Sequence, residues 1–308
     1  MKFFKSSLAI VIAILMVFSL VACGGEQDTD NNNTNKSGAF KETTIELSES
    51  KIVVVGAERI VDYDEKDALR VWFDITNTTE ESKYLAWTYE FKATQDDYEL
   101  VDTSSGIEYT VKEEGNDIRD VRPGVTVRAT KEVVMKPDGG LITLSFIDSY
   151  DEEKVFTVEL DPKNLPGAPK EEFVPATIDD PKWLDGYPEK GQYEAFGDLY
   201  DVEIEKFELT ESYSGEKLIR IYFNFKNNSD EATAFHMNIS PIVYQDGVGL
   251  DTGYADVSVT EDDNYSQEIE VGESIKVACC YELISESPVE VDLTDLSGGG
   301  VGVVYNIK

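Results

Sequence analysis

The sequence is poor in the side chains that enzymes most often use for chemistry. Histidine occurs once, at His236, and cysteine three times, at Cys23, Cys279 and Cys280. A catalytic triad would have to use that one histidine, and a zinc site built on several histidines is excluded by count. The adjacent Cys279 and Cys280 lack the C-x-x-C spacing of a redox motif. We therefore expect no enzymatic activity, no cofactor and no metal centre of these kinds.

Positive charge is also scarce. Lys and Arg total 27 against 62 Asp and Glu, which gives a net charge of −35 at pH 7. Such a field repels nucleic acid and anionic headgroups, and it favours solubility and cationic partners. Acidic runs at residues 62–65 and 261–264 offer oxygen ligands for calcium. Neither run has EF-hand spacing, so we favour ordinary solvated loops over a calcium site.

Helical periodicity is absent from every long segment, and alternation with a period of two takes its place. Val71, Phe73 and Ile75 alternate with polar or aromatic residues, which predicts a strand over residues 69–76 with those three side chains on its buried face. The same pattern returns at residues 219–225. The chain is therefore expected to be all-β, with antiparallel strands.

This strand belongs to a motif that occurs twice. Residues 69–81 read L-R-V-W-F-D-I-T-N-T-T-E-E, and residues 219–231, at an offset of 150, read I-R-I-Y-F-N-F-K-N-N-S-D-E. A second predicted strand follows in each copy, at residues 84–94 and 234–244, and ends in a Q-D-D or Q-D-G turn. Asp-Gly favours a tight hairpin with positive φ at both positions. Further along, the offset becomes 148. We interpret the chain as two copies of one domain.

The first residues form a targeting segment. Lys2 and Lys5 precede an apolar run at residues 8–18 that is too short to span a bilayer comfortably, and residues 20–24 read L-V-A-C-G. This pattern resembles the bacterial lipobox. The resemblance implies a signal peptide at residues 1–22, cleavage before Cys23, and a membrane anchor through lipid on its thiol. Residues 23–41, rich in Asn, Asp and Gly, are expected to form a disordered, lipidated tether.

Two domains and a connector account for the rest of the chain. Short predicted strands at regular turn spacing favour a β-sandwich over residues 42–160 and a second one over residues 193–308. Between them, residues 161–192 hold six of the ten prolines. Since proline stiffens the chain and removes a ladder donor, we expect part of this connector to lie against one domain and restrict hinging.

One pair of residues recurs on the polar face of the repeated strand. Arg70 stands two residues before Trp72, and Arg220 stands two residues before Tyr222. If exposed, an arginine beside an aromatic ring is a plausible anchor for a partner or a sugar. The alternative is that a neighbouring strand or the connector covers this face and that the pairs are packing contacts.

The last strands carry the remaining candidates. Cys279 is expected to face the core as an ordinary small residue, and Cys280 to face outward. A reactive Cys280 thiol is an alternative that the acidic surroundings disfavour. His236 falls on the predicted strand at residues 234–244 and is expected at the surface.

The motif segments also carry a family resemblance. Residues 71–81 with 95–100, and residues 221–231 with 245–250, together with the lipobox and tether, resemble Gram-positive surface lipoproteins that carry a domain of unknown function. That group is similar to the telokin-like, immunoprotective-antigen type of immunoglobulin-like sandwich. The resemblance implies two tandem immunoglobulin-like sandwiches and assigns no functional residue.

The leading functional interpretation is a membrane-anchored extracellular lipoprotein. It would act as a non-enzymatic binding module in the cell envelope, with an envelope protein or a cell-wall ligand as partner. A solute-binding lipoprotein of a transporter is the alternative, but such proteins have two α/β lobes. A secreted hydrolase is a third interpretation, against which the single histidine and the missing G-x-S-x-G elbow count.

Overall fold

The computed structural model describes residues 42–175, 194–196, 199–295 and 300–308. The predicted signal peptide (1–22), the tether with Cys23 (23–41) and most of the second half of the connector lie outside these residues. Apart from single helical turns, the regular structure is antiparallel β-strand, so the all-β prediction is confirmed. No helix in the described part of the chain is long and apolar enough to cross a membrane.

Repeat 1 is a sandwich of two four-stranded sheets. Its strands are β1 Thr43–Glu46, β2 Ser50–Val61, β3 Asp67–Asn77, β4 Lys83–Tyr84, β5 Tyr89–Gln95, β6 Tyr98–Glu99, β7 Asp120–Val121, β8 Thr126–Val134, β9 Ile142–Asp148 and β10 Asp151–Leu160. One sheet has the order β1-β2-β3-β8 and the other the order β10-β9-β5-β6, while β4 and β7 form a short extra ribbon.

Repeat 2 is built in the same way. Its elements are β11 Glu194–Phe196, β12 Tyr200–Glu211, β13 Lys217–Asn227, α1 Phe235–Asn238, β14 Ile239–Gln245, β15 Val248–Gly249, α2 Thr260–Asp263, β16 Ser274–Glu282, β17 Val289–Asp295 and β18 Gly300–Tyr305. One sheet has the order β11-β12-β13-β16, and the other begins β18-β17-β14-β15 and continues into β7 and β4 of repeat 1.

The repeated strand lies at the centre of each sandwich, as its alternation predicts. Phe73 on β3 is fully buried and meets Tyr89 and Phe146 of the facing sheet edge to face, with ring centroids 5.9 and 6.0 Å apart. In repeat 2, Phe223 on β13 stacks on Phe235 at 5.3 Å. Such aromatic pairs add to the stabilisation from apolar burial.

The asparagine that ends each motif strand organises the following turn. Asn77 is fully buried. Its Oδ1 accepts hydrogen bonds from the Thr79 amide and hydroxyl, and its Nδ2 donates to the carbonyls of Glu81 and Val121. Asn227 makes the same set in repeat 2. A buried amide with every group bonded fixes both the turn and the neighbouring strand.

The Q-D-D and Q-D-G turns are the tight hairpins that the sequence predicts. Asp246 and Gly247 have φ of 52° and 75°, and the two aspartates of the repeat 1 turn also have positive φ. The preceding glutamines are buried, and Gln95 bonds the Lys136 amide and the Gly140 carbonyl. The motif residues are therefore fixed by structure, which explains their recurrence in both copies.

The predicted strands at residues 84–94 and 234–244 are wrong in their first halves. Residues Leu85–Trp87 form a 3-10 turn, and Phe235–Asn238 form the helical turn α1. Thr88 Oγ1 donates to the Leu85 carbonyl at 2.8 Å, and Asn238 Nδ2 donates to the Ala234 carbonyl at 3.1 Å. These local bonds compete with strand pairing, so alternation alone misplaces these residues.

The described part of the connector lies against repeat 1, as expected. Gly167 and Ala57 exchange backbone hydrogen bonds of 2.9 and 3.2 Å. The Arg128 guanidinium donates to the Glu171 carbonyl at 3.0 Å and lies 5.1 Å from the Phe173 ring centroid. Residues 176–192 of the connector lie outside the described residues.

A continuous sheet joins the two repeats. Val248 on β15 pairs with Val121 on β7, and the Arg122 amide donates to the Gly247 carbonyl at 2.9 Å. The Arg122 guanidinium bonds Asp292 at 2.7 Å and lies 3.9 Å from the Tyr244 ring centroid. A buried arginine that is both paired and stacked is costly to separate from its partners, so the junction holds the repeats in one orientation.

Two glycines allow this close approach. A Cβ on Gly247, whose φ is 75°, would lie 2.5 Å from Val125 Cγ2, and a Cβ on Gly249 would lie 3.1 Å from the Asp120 carbonyl oxygen. The equivalent positions in repeat 1 carry Asp97 and Glu99. Only the turn of repeat 2 therefore has the space to pack against the other repeat.

Gly249→Glu places the repeat 1 residue at the junction and is expected to weaken it by about 1–3 kcal/mol, because the new side chain meets the Asp120 backbone. Hydrogen exchange at the Arg122 amide, which crosses the junction, should accelerate about tenfold or more. Glu99→Gly is the matched control. Unchanged protection of Arg122 in Gly249→Glu would contradict this account.

Candidate functional site

The residues proposed as partner anchors are buried. Arg70, Trp72, Arg220 and Tyr222 are 2, 6, 4 and 4% exposed, which agrees with the alternative of a covered face and packing contacts and not with open anchors. In each repeat a long loop crosses the polar face of the sheet and covers them. Alternation identifies the face on which a side chain lies, but it does not reveal that a distant loop covers that face.

In repeat 1 the arginine fastens this loop to the sheet. Arg70 Nε donates to Glu132 Oε1 at 2.7 Å, Nη1 donates to Glu58 at 3.3 Å, and Nη2 donates to the Tyr109 carbonyl on the loop. Trp72 Nε1 shares the Glu58 carboxylate at 3.2 Å. Burial raises the pKa of Glu132 although Arg70 opposes the shift.

Repeat 2 fastens its loop with the equivalent arginine but a different carboxylate. Arg220 donates from Nε and Nη2 to both oxygens of Asp262 at 3.1 and 3.0 Å, and from Nη2 to the Val257 carbonyl at 2.6 Å. Tyr222 donates its hydroxyl proton to Glu208 at 2.8 Å. Asp262 lies on the loop, in α2, and the residue that pairs with Arg220 on β16 is Cys280 instead of an acid.

The strand below the loop differs accordingly between the repeats. Repeat 1 has Thr130, Lys131 and Glu132, and repeat 2 has Ala278, Cys279 and Cys280 at the equivalent positions, 148 residues later. Lys131 in repeat 1 forms an ion pair of 2.7 Å with buried Asp117, which also accepts the Tyr89 hydroxyl at 2.8 Å. Tyr265 and Ile239 take the places of Asp117 and Tyr89 in repeat 2. The interlocked polar cluster is thereby replaced by smaller or uncharged side chains.

A cavity of about 380 Å³ lies at this place in repeat 2. Its walls are the loop of residues 251–266 and the edge of β16, and its volume falls in the usual range for small-molecule sites. It is more apolar than polar. The side chains that give it its character are those of Tyr254, Asp262, Tyr265, Cys279, Cys280 and Tyr281.

The inner wall of the cavity is uncharged at neutral pH. Burial raises the pKa of the Cys279 thiol to about 12, and it also raises the pKa values of Cys280, Tyr265 and Tyr281. Charge enters only at one side, where α2 carries Asp262, paired with Arg220, and exposed Asp263. The cavity therefore combines a neutral, aromatic interior with an acidic rim.

The acidic runs considered for calcium have other partners. Asp62 accepts hydrogen bonds from the amides of Asp64 and Lys66 at 2.9 and 2.7 Å and from the Thr103 hydroxyl at 3.0 Å. Asp262 in the other run is bound to Arg220. Within the described ranges, no group of three or more His, Cys, Asp or Glu side chains is placed to hold a metal ion.

The remaining candidates lie near the cavity. Cys279 packs against the core of repeat 2, and Cys280, on the opposite face, is buried beneath the loop instead of standing exposed. Both thiols are free. His236 is exposed as expected, although on α1 and not on a strand, and its ring lies 5.8 Å from that of Tyr265.

An open cleft of about 620 Å³ between the repeats is less suited to a ligand, because its cations are already engaged. Lys112 pairs with Glu172 at 3.0 Å, Arg119 with Asp251, and Arg128 with Asp74 at 2.7 Å. The cavity in repeat 2 is the candidate site. Comparison of the two copies at the offset of 148 is the sequence signal that could have identified it.

The two buried arginines should differ in their contribution to stability. Arg70→Met leaves Glu132, whose side chain is 4% exposed, without its cation and should cost about 3–5 kcal/mol in unfolding free energy. Arg220→Met should lower the unfolding free energy by only about 1–3 kcal/mol, because the side chain of Asp262 is 24% exposed and can be hydrated by water when the arginine is removed. Urea denaturation measures both, with Arg59→Met, from an exposed pair, as the control. Equal losses of unfolding free energy in Arg70→Met and Arg220→Met would contradict this difference between the two ion pairs.

The Cys279 thiol should resist alkylation in the folded protein. With a pKa of about 12 in place of 9.0, its thiolate fraction at pH 8 is roughly 1,000-fold lower than that of an ordinary thiol. Iodoacetamide labelling followed by peptide mass spectrometry should show a correspondingly slow rate, and the same reaction in urea is the control. Similar rates in both states would overturn the placement of this thiol.

Comparison with known proteins adds a family. The profile described as "Domain of unknown function (DUF5067)" matches residues 25–161 and 185–295. No curated protein matches. Two of the solved structures that match are a candidate lipoprotein from Staphylococcus aureus subsp. aureus NCTC 8325 (13% identity, TM-score 0.31, covering 38% of this chain and 93% of that one) and a protein from Enterococcus faecalis (20%, 0.30, 39% and 94%). Because the matched stretches cover most of the sequence, this chain belongs to the DUF5067 family, whose profile it matches twice.

Proposed function

We propose that this protein is an extracellular lipoprotein, anchored through lipid on Cys23, that binds a small ligand in the cavity of repeat 2. The cavity is the observation that carries the proposal. It lies where repeat 2 departs from repeat 1, in a fold whose strand order otherwise corresponds between the repeats. A mostly apolar cavity with a few polar groups at its rim is the usual form of a ligand site.

The anchor rests on the lipobox of residues 20–24. Lipid on Cys23 would hold the chain at the outer face of the membrane, and the following tether of residues 23–41 would span up to roughly 60 Å if fully extended. In chain order, repeat 1 follows the tether and repeat 2 comes after repeat 1. The Gram-positive, immunoglobulin-like character inferred from the motif is part of the same proposal.

The sheet that joins the repeats suits this arrangement. Since β15 continues into β7 and Arg122 is stacked and paired across the junction, the cavity would keep a fixed orientation relative to repeat 1. The connector adds a second restraint where Gly167 and Phe173 lie against repeat 1.

The chemistry of the cavity favours binding over catalysis. Its thiols and phenols have pKa values raised by burial, so they are neutral near pH 7 and are not poised to act as nucleophiles or bases. The solute-binding alternative would require two α/β lobes, and the described residues form antiparallel sheets instead. We therefore favour a binding module over a transporter subunit of that type.

Filling the cavity should abolish binding while leaving the fold intact. Ala278→Ile adds a β-branched side chain, which suits a strand, at a position that lines the cavity. Saturation-transfer NMR would test three probe classes, namely acetylated tripeptide amides, disaccharides and alkylamines, against the wild type and this variant. We expect at least one class to bind the wild type and to lose its signal in Ala278→Ile.

Thr130→Ile, at the equivalent position of repeat 1, is the matched control and should keep the signal. Circular dichroism would establish that both variants fold. The proposal fails if every signal survives in Ala278→Ile, or if none of the three classes binds the wild type.

A further inference from the structure

The edge of β16 has a defined hydrogen-bonding direction. The Cys280 carbonyl accepts the Gly253 amide at 2.9 Å, and the Glu282 amide donates to the Asp251 carbonyl at 2.9 Å, both on the side away from β13. The Lys276 carbonyl accepts Asn264 Nδ2 at 2.9 Å on the same side. Since direction alternates along a strand, the Ala278 amide and carbonyl also point to this outer edge.

These two groups of Ala278 open into the cavity. Ala278 lines it, and neither its N–H nor its C=O is hydrogen-bonded to any of the described residues. The residue as a whole is only 3% exposed. Its amide and carbonyl are therefore available to a ligand or a water that enters the cavity and supplies one donor and one acceptor.

Only a short stretch of the outer edge of β16 is free of hydrogen bonds to the loop. Gly253 closes it on one side through Cys280, and Asn264 closes it on the other through Lys276. Only one residue of an added strand can therefore exchange both hydrogen bonds with Ala278. The complement of an exposed strand edge is an extended peptide backbone, which offers its N–H and C=O with the required spacing.

The rim indicates the charge of such a ligand. Asp263 is exposed on α2 beside the cavity, and Tyr254, 89% exposed, stands on the opposite loop segment. The whole chain carries a net charge of −35. A carboxylate and an open aromatic ring in an acidic field favour an ammonium or guanidinium group and disfavour an anion.

We propose that the cavity of repeat 2 takes a short extended peptide segment with a cationic side chain, and that one residue of this segment pairs with Ala278 as an added rung of the sheet. The inference rests on the proposed function, since it names the ligand class of the same cavity. The aromatic wall of Tyr265 and Tyr281 would hold the apolar part of the segment, and Asp263 its cation.

Repeat 1 provides the internal control. The edge of β8 runs in the same direction, because the Glu132 carbonyl accepts the Thr103 amide at 2.9 Å and the Arg128 carbonyl accepts Asn116 Nδ2 at 2.8 Å. Thr130 therefore occupies the position that corresponds to Ala278, and its N–H and C=O likewise have no partner among the described residues, so the two repeats differ here in their side chains and not in the edge. There the larger ion-paired Lys131 and Asp117 stand in place of Cys279 and Tyr265.

The test is isothermal titration of the intact extracellular chain with Ac-Ala-Lys-Ala-NH2. Ala278→Pro removes the outward N–H without removing a ladder bond to β13, and we expect it to weaken binding about tenfold or more. Thr130→Pro should leave binding unchanged. Replacing Lys by Glu in the peptide should also weaken binding at least tenfold.

A scan of backbone N-methylation in the same peptide needs no protein variant and keeps the test decisive if Ala278→Pro does not fold. Methylation at one position should lower the affinity of the peptide about tenfold, because the nitrogen there no longer carries the hydrogen that it would donate to the Ala278 carbonyl. Equal affinity for all methylated peptides, or no binding of the tripeptide, overturns the peptide inference. If disaccharides or alkylamines still bind in a manner sensitive to Ala278→Ile, the proposed function stands without it.

Discussion

Each repeat is built around an arginine that is buried and permanently charged. A guanidinium cannot shed its proton in a protein, so it must be hydrogen-bonded wherever it is buried. Arg70 and Arg220 meet this requirement partly with a backbone carbonyl of the covering loop, supplied by Tyr109 in one repeat and Val257 in the other. The loop is therefore held against the sheet by the charge it covers.

The buried arginine can be paired with a carboxylate at more than one position, and the two repeats differ in which position supplies it. In repeat 1 the acid is on the strand, as Glu132, and in repeat 2 it is on the loop, as Asp262. Once the loop supplies the acid, the strand position can take a smaller residue, and Cys280 stands there. The cavity thus accompanies a change in the position of one carboxylate, from the strand in repeat 1 to the loop in repeat 2. The arginine, the strand that carries it and the sandwich are common to both repeats.

Much of the fold is legible in the sequence, because alternation and turn chemistry act locally. The buried faces of β3 and β13 and the positive φ of Asp246 and Gly247 follow from a few adjacent residues. The helical turns at Leu85–Trp87 and Phe235–Asn238 do not, since Thr88 and Asn238 redirect the backbone through side-chain bonds. The burial of Trp72 and Tyr222 depends on a loop more than thirty residues away in the chain, which no local pattern encodes.

The candidate site was less predictable than the fold for the same reason. It consists of ordinary residues, such as Ala278 and Tyr265, whose significance lies in what the other copy has at those places. A single domain of this family would carry no such contrast. Tandem duplication thus provides an internal reference, against which loss of side-chain volume and charge can be recognised.

The glycines at the junction also set a limit on assembly. An interface between two unlike faces of a repeated unit can, in principle, be propagated from molecule to molecule into a filament. Here the turn of repeat 1 that would receive the next unit carries Asp97 and Glu99 where docking needs glycines, and Tyr98 beside them is 66% exposed. This turn therefore lacks the space that docking requires, and molecules crowded on a surface would not polymerise through this contact.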